Sequence, residues 1–282
     1  MSIAIIKERL ESYSCMSDIE EVQALREITQ ELILAALGRT AFFRQAAFQG
    51  GTCLRILYGL NRFSEDLDFV LKESDPGFEW KPHLKAIVEE LSAYGYQIEF
   101  TERTDTSAVR KAFIKDDTIG KILNLHFAGK SSLMRKIRIN LEIDCNPPSG
   151  SEYEIRYLDF PFVSSVVVQN LPTLFSGKIH ALLCREYVKG RDWYDFLWYT
   201  ARRTTINHAY LASALKQIGP WQGQGILIDS DWCIEELRKR IDMLDWAAVA
   251  EDVRRFVHVR EQPSIDLWSR DLFLFQLAKI PQ

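Results

Sequence analysis

Phe48-Gln49-Gly50-Gly51-Thr52-Cys53-Leu54-Arg55, followed after a short apolar run by Arg62-Phe63-Ser64-Glu65-Asp66-Leu67-Asp68-Phe69-Val70, is the stretch that decides how the rest of the chain is read. Its first half passes from the apolar segment Ala46 to Phe48 into two glycines and a threonine, then into Leu54, Leu57 and Tyr58 at helical spacing. That order predicts a strand, a tight turn and the start of a helix. Paired glycines let backbone approach a ligand without interference from Cβ. A helix N-terminus adds uncommitted N–H groups and about half a unit of positive charge. Gly50, Gly51 and Thr52 are therefore read as a cradle for a triphosphate. The second half alternates, with Leu67, Phe69 and Leu71 on one side of a predicted strand and Asp66, Asp68 and Val70 on the other. Aspartates at i and i+2 lie about 7 Å apart at Cα and can lean together on hard cations. Magnesium, which takes oxygen ligands and is commonly held by one or two carboxylates plus substrate phosphates, suits them.

A Gly-Gly turn, a short helix and then Asp-x-Asp, in that order, resemble the signature of the polymerase-beta-like nucleotidyltransferase superfamily. The fuller string, Gly-Gly-Thr-x-Leu-Arg and then Arg-x-Ser-x-Asp-Leu-Asp-Phe, is similar to the AbiEii/AbiGii family of nucleotidyltransferase toxins. By that resemblance Arg55 and Ser64 join the nucleotide-binding set. Relatives in the superfamily also draw a third carboxylate from a later strand.

With 282 residues the chain is long enough for two lobes, each with its own core. A net charge of −4 argues against a uniformly basic nucleic-acid binder, though not against a local basic patch. Lys7, Glu8 and Arg9 interrupt the short apolar run at the N-terminus, so neither a signal peptide nor a membrane-spanning helix is expected there. The expected location is the cytoplasm, with no membrane partner. Cys15, Cys53, Cys145, Cys184 and Cys233 are scattered without a Cys-x-x-Cys pair, and the histidines show no ligand spacing, which disfavours zinc and disulfides.

In chain order, residues 2 to 36 read as helical, with a stop at Gly38. A helical face at Leu84, Ile87, Val88 and Leu91 follows the first aspartate strand. Three β-like runs come next, Tyr96–Arg103, Gly120–Phe127 and Lys136–Asp144. In the third, Ile137, Ile139, Leu141 and Ile143 face one way and Arg138, Asn140, Glu142 and Asp144 the other. Glu142 and Asp144 are thus the candidates for the third carboxylate. Asp144 lies where Asn146-Pro147-Pro148 takes the chain out of the sheet, a place suited to turn capping. Glu142, inside the strand, needs a partner for its charge, which favours it as the metal ligand. A further β-rich segment, Tyr153 to Val168, leads to a change of texture near Leu171 and Pro172. Beyond it the patterns are helical, at Tyr210–Ile218, Asp231–Leu244, Asp245–Val257 and Ser264–Ala278.

The second lobe opens with Gly177-Lys178-Ile179-His180-Ala181-Leu182-Leu183-Cys184-Arg185 and then Arg191-Asp192-Trp193-Tyr194-Asp195. Lys178 and Arg185 fall two turns apart on one predicted helix face, a pair able to meet a triphosphate. Asp192 and Asp195, at i and i+3 on the next helix, can orient the lysine or a bound nucleotide. Lys-x-x-Ala-Leu-x-x-Arg followed by Arg-Asp-x-x-Asp is similar to the third and fourth motifs of the AbiEii family, in the family's order.

The expected architecture is α/β (α+β). A mixed-sheet nucleotidyltransferase lobe with N-terminal helices spans 1–170, and an all-helical lobe spans 171–282. The expected activity is transfer of a nucleoside monophosphate from an NTP to an acceptor hydroxyl, with magnesium as cofactor. Asp66, Asp68 and Glu142 would hold the metal, and Lys178 would neutralise developing charge with Asp192 and Asp195 beside it. The resemblance implies a toxin of a toxin–antitoxin or phage-defence pair, with an antitoxin partner and an RNA acceptor such as tRNA. Modification of a protein or small molecule is the alternative, and a catalytically lapsed nucleotide-binding module is another.

Overall fold

The computed structural model describes residues 2–103, 108–116, 118–119, 123 and 137–281. The chain divides into two compact units, one of Met1–Gly59, Phe63–Pro147 and Glu154–Val168, the other of Leu60–Arg62, Pro148–Tyr153 and Gln169–Gln282.

The first unit is built on a mixed sheet with helices α1 (Ser2–Glu11), α2 (Asp18–Gly38), α3 (Phe42–Gln45), α4 (Gly50–Tyr58) and α5 (Lys81–Ala93). Its strands are β1 (Ala46–Gln49), β2 (Leu67–Leu71), β3 (Ile98–Arg103), β4 (Val109–Asp116), β5 (Ile137–Asp144), β6 (Tyr153–Leu158) and β7 (Ser164–Gln169). They lie in the order β3-β4-β5-β2-β1-β7-β6. β1 pairs antiparallel with β2 and β2 parallel with β5, while β3, β4 and β5 form an antiparallel meander.

The helical opening expected over residues 2 to 36 is two helices. Ser17 starts the second, its hydroxyl accepting from Glu20 N–H while the Glu20 carboxylate accepts from Met16 N–H at 2.8 Å. The first bond satisfies a donor that a helix start leaves open, and the second ties the residue before the cap to the first turn. α2 is buried almost all round along its second half, Glu27, Gln30 and Glu31 included. Glu27 bonds Arg55 and Tyr13, Glu31 bonds Arg9, and Gln30 donates through Nε2 while its Oε1 has no partner. α2 packs on α5 and on β5. An aromatic group of Phe42, Phe69 and Trp80 closes the core near β2, with ring centroids 5.0 and 5.7 Å from Phe42.

One strand reading needs correction, and another falls on residues that are not described. β4 falls between the first two expected β-like runs, where no strand is expected, because charges occur on both of its faces: Lys111 and Lys115 beside Phe113, Arg110 and Asp116 beside Ile114. Only pairing to β3 and β5 reveals it. The expected strand Gly120–Phe127 lies outside the described residues except for Leu123, which is in a turn.

The second unit is helical: α6 (Leu171–Cys184), α7 (Gly190–Ala201), α8 (His208–Gln217), α9 (Ser230–Asp242), α10 (Trp246–Val253), α11 (Gln262–Ile265) and α12 (Arg270–Leu277). Side-chain caps start five of them. Asn170, Asn207, Asp229, Asp245 and Ser269 each accept from an N–H in the following turn. The single helix expected over Ser264–Ala278 is therefore two, because Ser269 caps a new one. The aromatic crowd of α7 divides as its helical period dictates: Trp193, Phe196 and Tyr199 are buried, and Trp193 meets Trp246 and Phe273 at 5.2 and 5.5 Å. All five cysteines are free thiols.

α7 and α10 approach so closely that a Cβ on Gly190 would stand 2.4 Å from the Val249 carbonyl oxygen and 3.0 Å from Val253 N. Both are backbone atoms and cannot rotate away. Gly190→Ala is expected to destabilise the protein by about 1–3 kcal/mol, the usual cost of overpacking. A urea-unfolding midpoint unchanged from wild type would show that these helices separate without cost.

Candidate active site

β1 ends at Gln49 and the chain turns into α4 through Gly50, whose φ of +79° is a conformation that side-chain-bearing residues rarely adopt. A Cβ on Gly50 would stand 2.5 Å from Asp68 Oδ2. The turn is thus pressed against the second aspartate, and only glycine fits. Gln49 caps the helix without a side-chain hydrogen bond, its amide donating instead to Phe69 O at 3.1 Å. The first-turn N–H groups of Gly50, Gly51 and Thr52 are therefore not consumed by a capping side chain.

The sheet aligns the polar residues in a row. Gln49 on β1 is opposite Asp68 on β2, Asp68 is beside Glu142 on β5, and Glu142 is opposite Lys111 on β4. Asp144 is beside Val70 instead, and its carboxylate accepts from Asn146 N–H at 2.9 Å, capping the exit turn. Burial pushes the Asp144 pKa up, opposed by that bond. Asp66, one residue before β2, accepts from Asn140 Nδ2 at 2.6 Å, and Glu142 accepts from Lys111 Nζ at 2.9 Å.

The segment that delivers Asp66 is held by its carbonyls. Thr52 is fully buried, and its hydroxyl donates to the Asp66 carbonyl oxygen. The Thr52 hydroxyl is thus committed to the protein, and what the residue offers at the helix start is its backbone N–H. Gln30 on α2, also fully buried, donates to Ser64 O at 3.2 Å and Glu65 O at 2.9 Å. Arg26, one turn earlier, reaches Glu65 Oε1 at 3.1 Å. Ser64 is half-buried. Arg55 is bonded to Glu27 at 2.8 Å and stacked 4.8 Å from the Phe63 ring centre, with only 14% of its side chain exposed.

Among the described residues no group of three His, Cys, Asp or Glu stands close enough to hold a metal ion. The residues nevertheless fit one. Asp66, Asp68 and Glu142 are hard oxygen donors of the type magnesium takes, and the missing Cβ of Gly50 leaves room against Asp68 Oδ2.

In the second unit, Lys178 Nζ lies 2.5 Å from Asp192 Oδ1 and 2.8 Å from Asp195 Oδ2. Arg62 grips Asp195 with two 2.7 Å bonds, and Arg185 Nη1 lies 2.6 Å from Asp192 Oδ2. Arg185 is not on the helix face expected for it. It is the extended residue that ends α6, and it reaches Asp192 from there. Burial alone would lower the Lys178 pKa, but Asp192 and Asp195 outweigh it and the value is raised. Burial alone would raise Asp192, but Lys178 and then Arg185 hold it below the ordinary carboxylate value.

Sequence reasoning missed Gln30, Asn140, Lys111 and Arg62 as partners of the candidate residues. Asn140 carries a faint signal, since it stands on the polar face of a strand that alternation reveals, whereas Lys111 carries none, because alternation does not reveal β4. Arg62 and Gln30 carry none, because no local spacing relates them to Asp195 or to the Ser64 carbonyl.

A family model described as "Nucleotidyl transferase AbiEii toxin, Type IV TA system" matches residues 32–271. Two solved structures are similar in fold. MenT4, the nucleotidyltransferase toxin Rv2826c from Mycobacterium tuberculosis H37Rv, is 16% identical with a TM-score of 0.52, covering 100% of both chains. JHP933 from Helicobacter pylori is 17% identical with a TM-score of 0.51, covering 90% of this chain and 88% of that one. No curated protein matches the chain.

Replacing Gln30 by Ala strips two half-buried carbonyls of their donor, and losing hydrogen bonds of this kind costs about 0.5–1.5 kcal/mol each. The urea midpoint of Gln30→Ala is expected to fall accordingly. A midpoint equal to wild type would mean that Ser64 and Glu65 do not depend on α2.

Proposed function

The chain belongs to the AbiEii family of nucleotidyl transferase toxins, and on that premise we propose that it transfers a nucleoside monophosphate from an NTP to an acceptor hydroxyl of an RNA such as tRNA, with magnesium. The family is one of type IV toxin–antitoxin systems, which implies an antitoxin partner and an NTP substrate. The observation that carries the metal site is the register that sets Asp68 beside Glu142, with Gly50 pressed against Asp68.

The acceptor oxygen attacks the α-phosphorus, the bond to the bridging oxygen of the β-phosphate breaks, and pyrophosphate leaves with that electron pair. The backbone N–H groups of Gly50, Gly51 and Thr52 hold the triphosphate at the positive end of α4. Asp66, Asp68 and Glu142 are the residues that would hold magnesium, which when bound offsets phosphate charge and favours ionisation of the attacking hydroxyl. Glu142 also accepts the hydroxyl proton. Asn140 fixes the rotamer of Asp66, and Gln30, Arg26 and Thr52 hold the segment that carries it. Positioning and charge stabilisation of this kind are most of what phosphoryl transfer asks of a protein.

Lys178 is assigned to nucleotide phosphate. Three cations, Arg62, Lys178 and Arg185, meet two carboxylates in its cluster, so the group carries surplus positive charge. On this assignment Lys178→Ala weakens NTP use whichever acceptor is offered. A defect confined to one acceptor would remove the assignment.

The decisive experiment incubates the protein with each labelled NTP, magnesium and either total RNA or lysate protein. Label is expected in RNA, and Asp66→Asn and Asp68→Asn are each expected to lower transfer by at least about 100-fold, the scale seen on losing a group that stabilises transition-state charge. Label on protein would change the acceptor. Full activity in both variants would sink the metal assignment.

A further inference from the structure

Glu142 and Lys111 stand opposite one another on neighbouring strands, with Lys111 Nζ 2.9 Å from Glu142 Oε1. The pair is neither buried nor loose, with side chains 36% and 30% exposed. Glu142 in turn is the β5 neighbour of Asp68, so the sheet carries an ammonium, a carboxylate and a carboxylate on three successive strands, β4, β5 and β2. Adjacent strands are about 4.8 Å apart, which sets the Lys111 backbone only two spacings from that of Asp68.

From this arrangement we infer that Lys111 is the resident counter-ion of Glu142 and competes with a divalent cation for that carboxylate. The inference rests on the metal site proposed above. Lys111 occupies Oε1 and leaves Oε2 to accept, but an ammonium at hydrogen-bonding distance weakens the carboxylate as a ligand for a hard dication, and the two cations repel. Among the described residues no three such groups are gathered as for a metal ion, and in that state Asp66 is bonded to Asn140 and Glu142 to Lys111. Lys111 thereby lowers the affinity for free metal. A metal ion that arrives with the phosphates of a nucleotide brings anionic groups to which the released ammonium can turn, so the penalty falls on metal alone.

The test measures manganese binding to the full chain without nucleotide, by calorimetry or by the free-ion magnetic resonance signal. Removing a partly exposed ion pair that competes for the ligand is expected to tighten manganese binding by about fivefold in Lys111→Met. Lys115→Met, which removes the same charge four residues along the strand on the same face, is expected to change it by less than about twofold on the same scale. In a Glu142→Gln background the effect of Lys111→Met should vanish. Lys111→Gln repeats the measurement if the methionine variant does not fold. Unchanged or weaker binding in Lys111→Met, or equal tightening in Lys115→Met, overturns the inference while leaving the metal site standing. If neither wild type nor any variant takes up manganese, the inference and the metal assignment fall together.

Discussion

Gly50 turns with φ of +79° at a point where a Cβ would stand 2.5 Å from Asp68 Oδ2, and much of the sheet's polar face is arranged around that contact. It obliges β1 and β2 to pair with Gln49 opposite Asp68, because the turn and the carboxylate have to meet at the strand ends. Once β2 is fixed in that register, its other edge accepts β5 with Glu142 beside Asp68. A shift of one residue in either pairing would turn the carboxylates into the core and the leucines out. Leu67, Phe69, Leu141 and Ile143, all buried, oppose any such shift. The hydrophobic face therefore sets the geometry of the polar one.

Several of the buried charges among the described residues lie in groups in which each is answered by an opposite charge. Glu27 and Glu31 on α2 meet Arg55 and Arg9, and Asp195 meets Arg62 and Lys178. Taking such groups out of water costs several kcal/mol per ion, and the attraction between partners recovers that only with good geometry. Apolar residues of similar volume would often serve stability as well. What ion pairs add is direction: Arg62 fixes both carboxylate oxygens of Asp195, so the remaining contact to Lys178 has one orientation. Losing one partner is correspondingly severe, because the other charge stays buried without compensation.

How much of this was legible in the sequence depends on the range of the interaction. The turn at Gly50 and the alternation of β2 and β5 are local patterns, and they read correctly. So did the meeting of Lys178 with Asp192 and Asp195, since helical spacing aligns two aspartates on one face. The family resemblance supplied the order of these pieces, which no single spacing could. β4 was illegible because Lys111 and Arg110 put charge on opposite faces and removed the alternation. The break at Ser269 was missed because Ser264–Ala278 keeps an apolar helical period on both sides of it. Gln30 lay beyond reach for another reason: a buried amide on an apolar helix looks like an ordinary exposed one until the carbonyls it serves are known.

The choice between Glu142 and Asp144 shows where a sequence argument and a register argument meet. Alternation puts both on the polar face and cannot separate them. The exit at Asn146-Pro147-Pro148 favours Asp144 for capping, and in the structure the Asn146 N–H does bond its carboxylate. Register adds what the sequence lacked: Asp144 is level with Val70 and Glu142 with Asp68. One step on the same face is about 7 Å along the strand, more than three times the 2.0–2.1 Å distance at which magnesium holds an oxygen. A carboxylate level with Val70 would have to leave both its turn and its place along the strand to share an ion with Asp68, whereas Glu142 has to leave only Lys111.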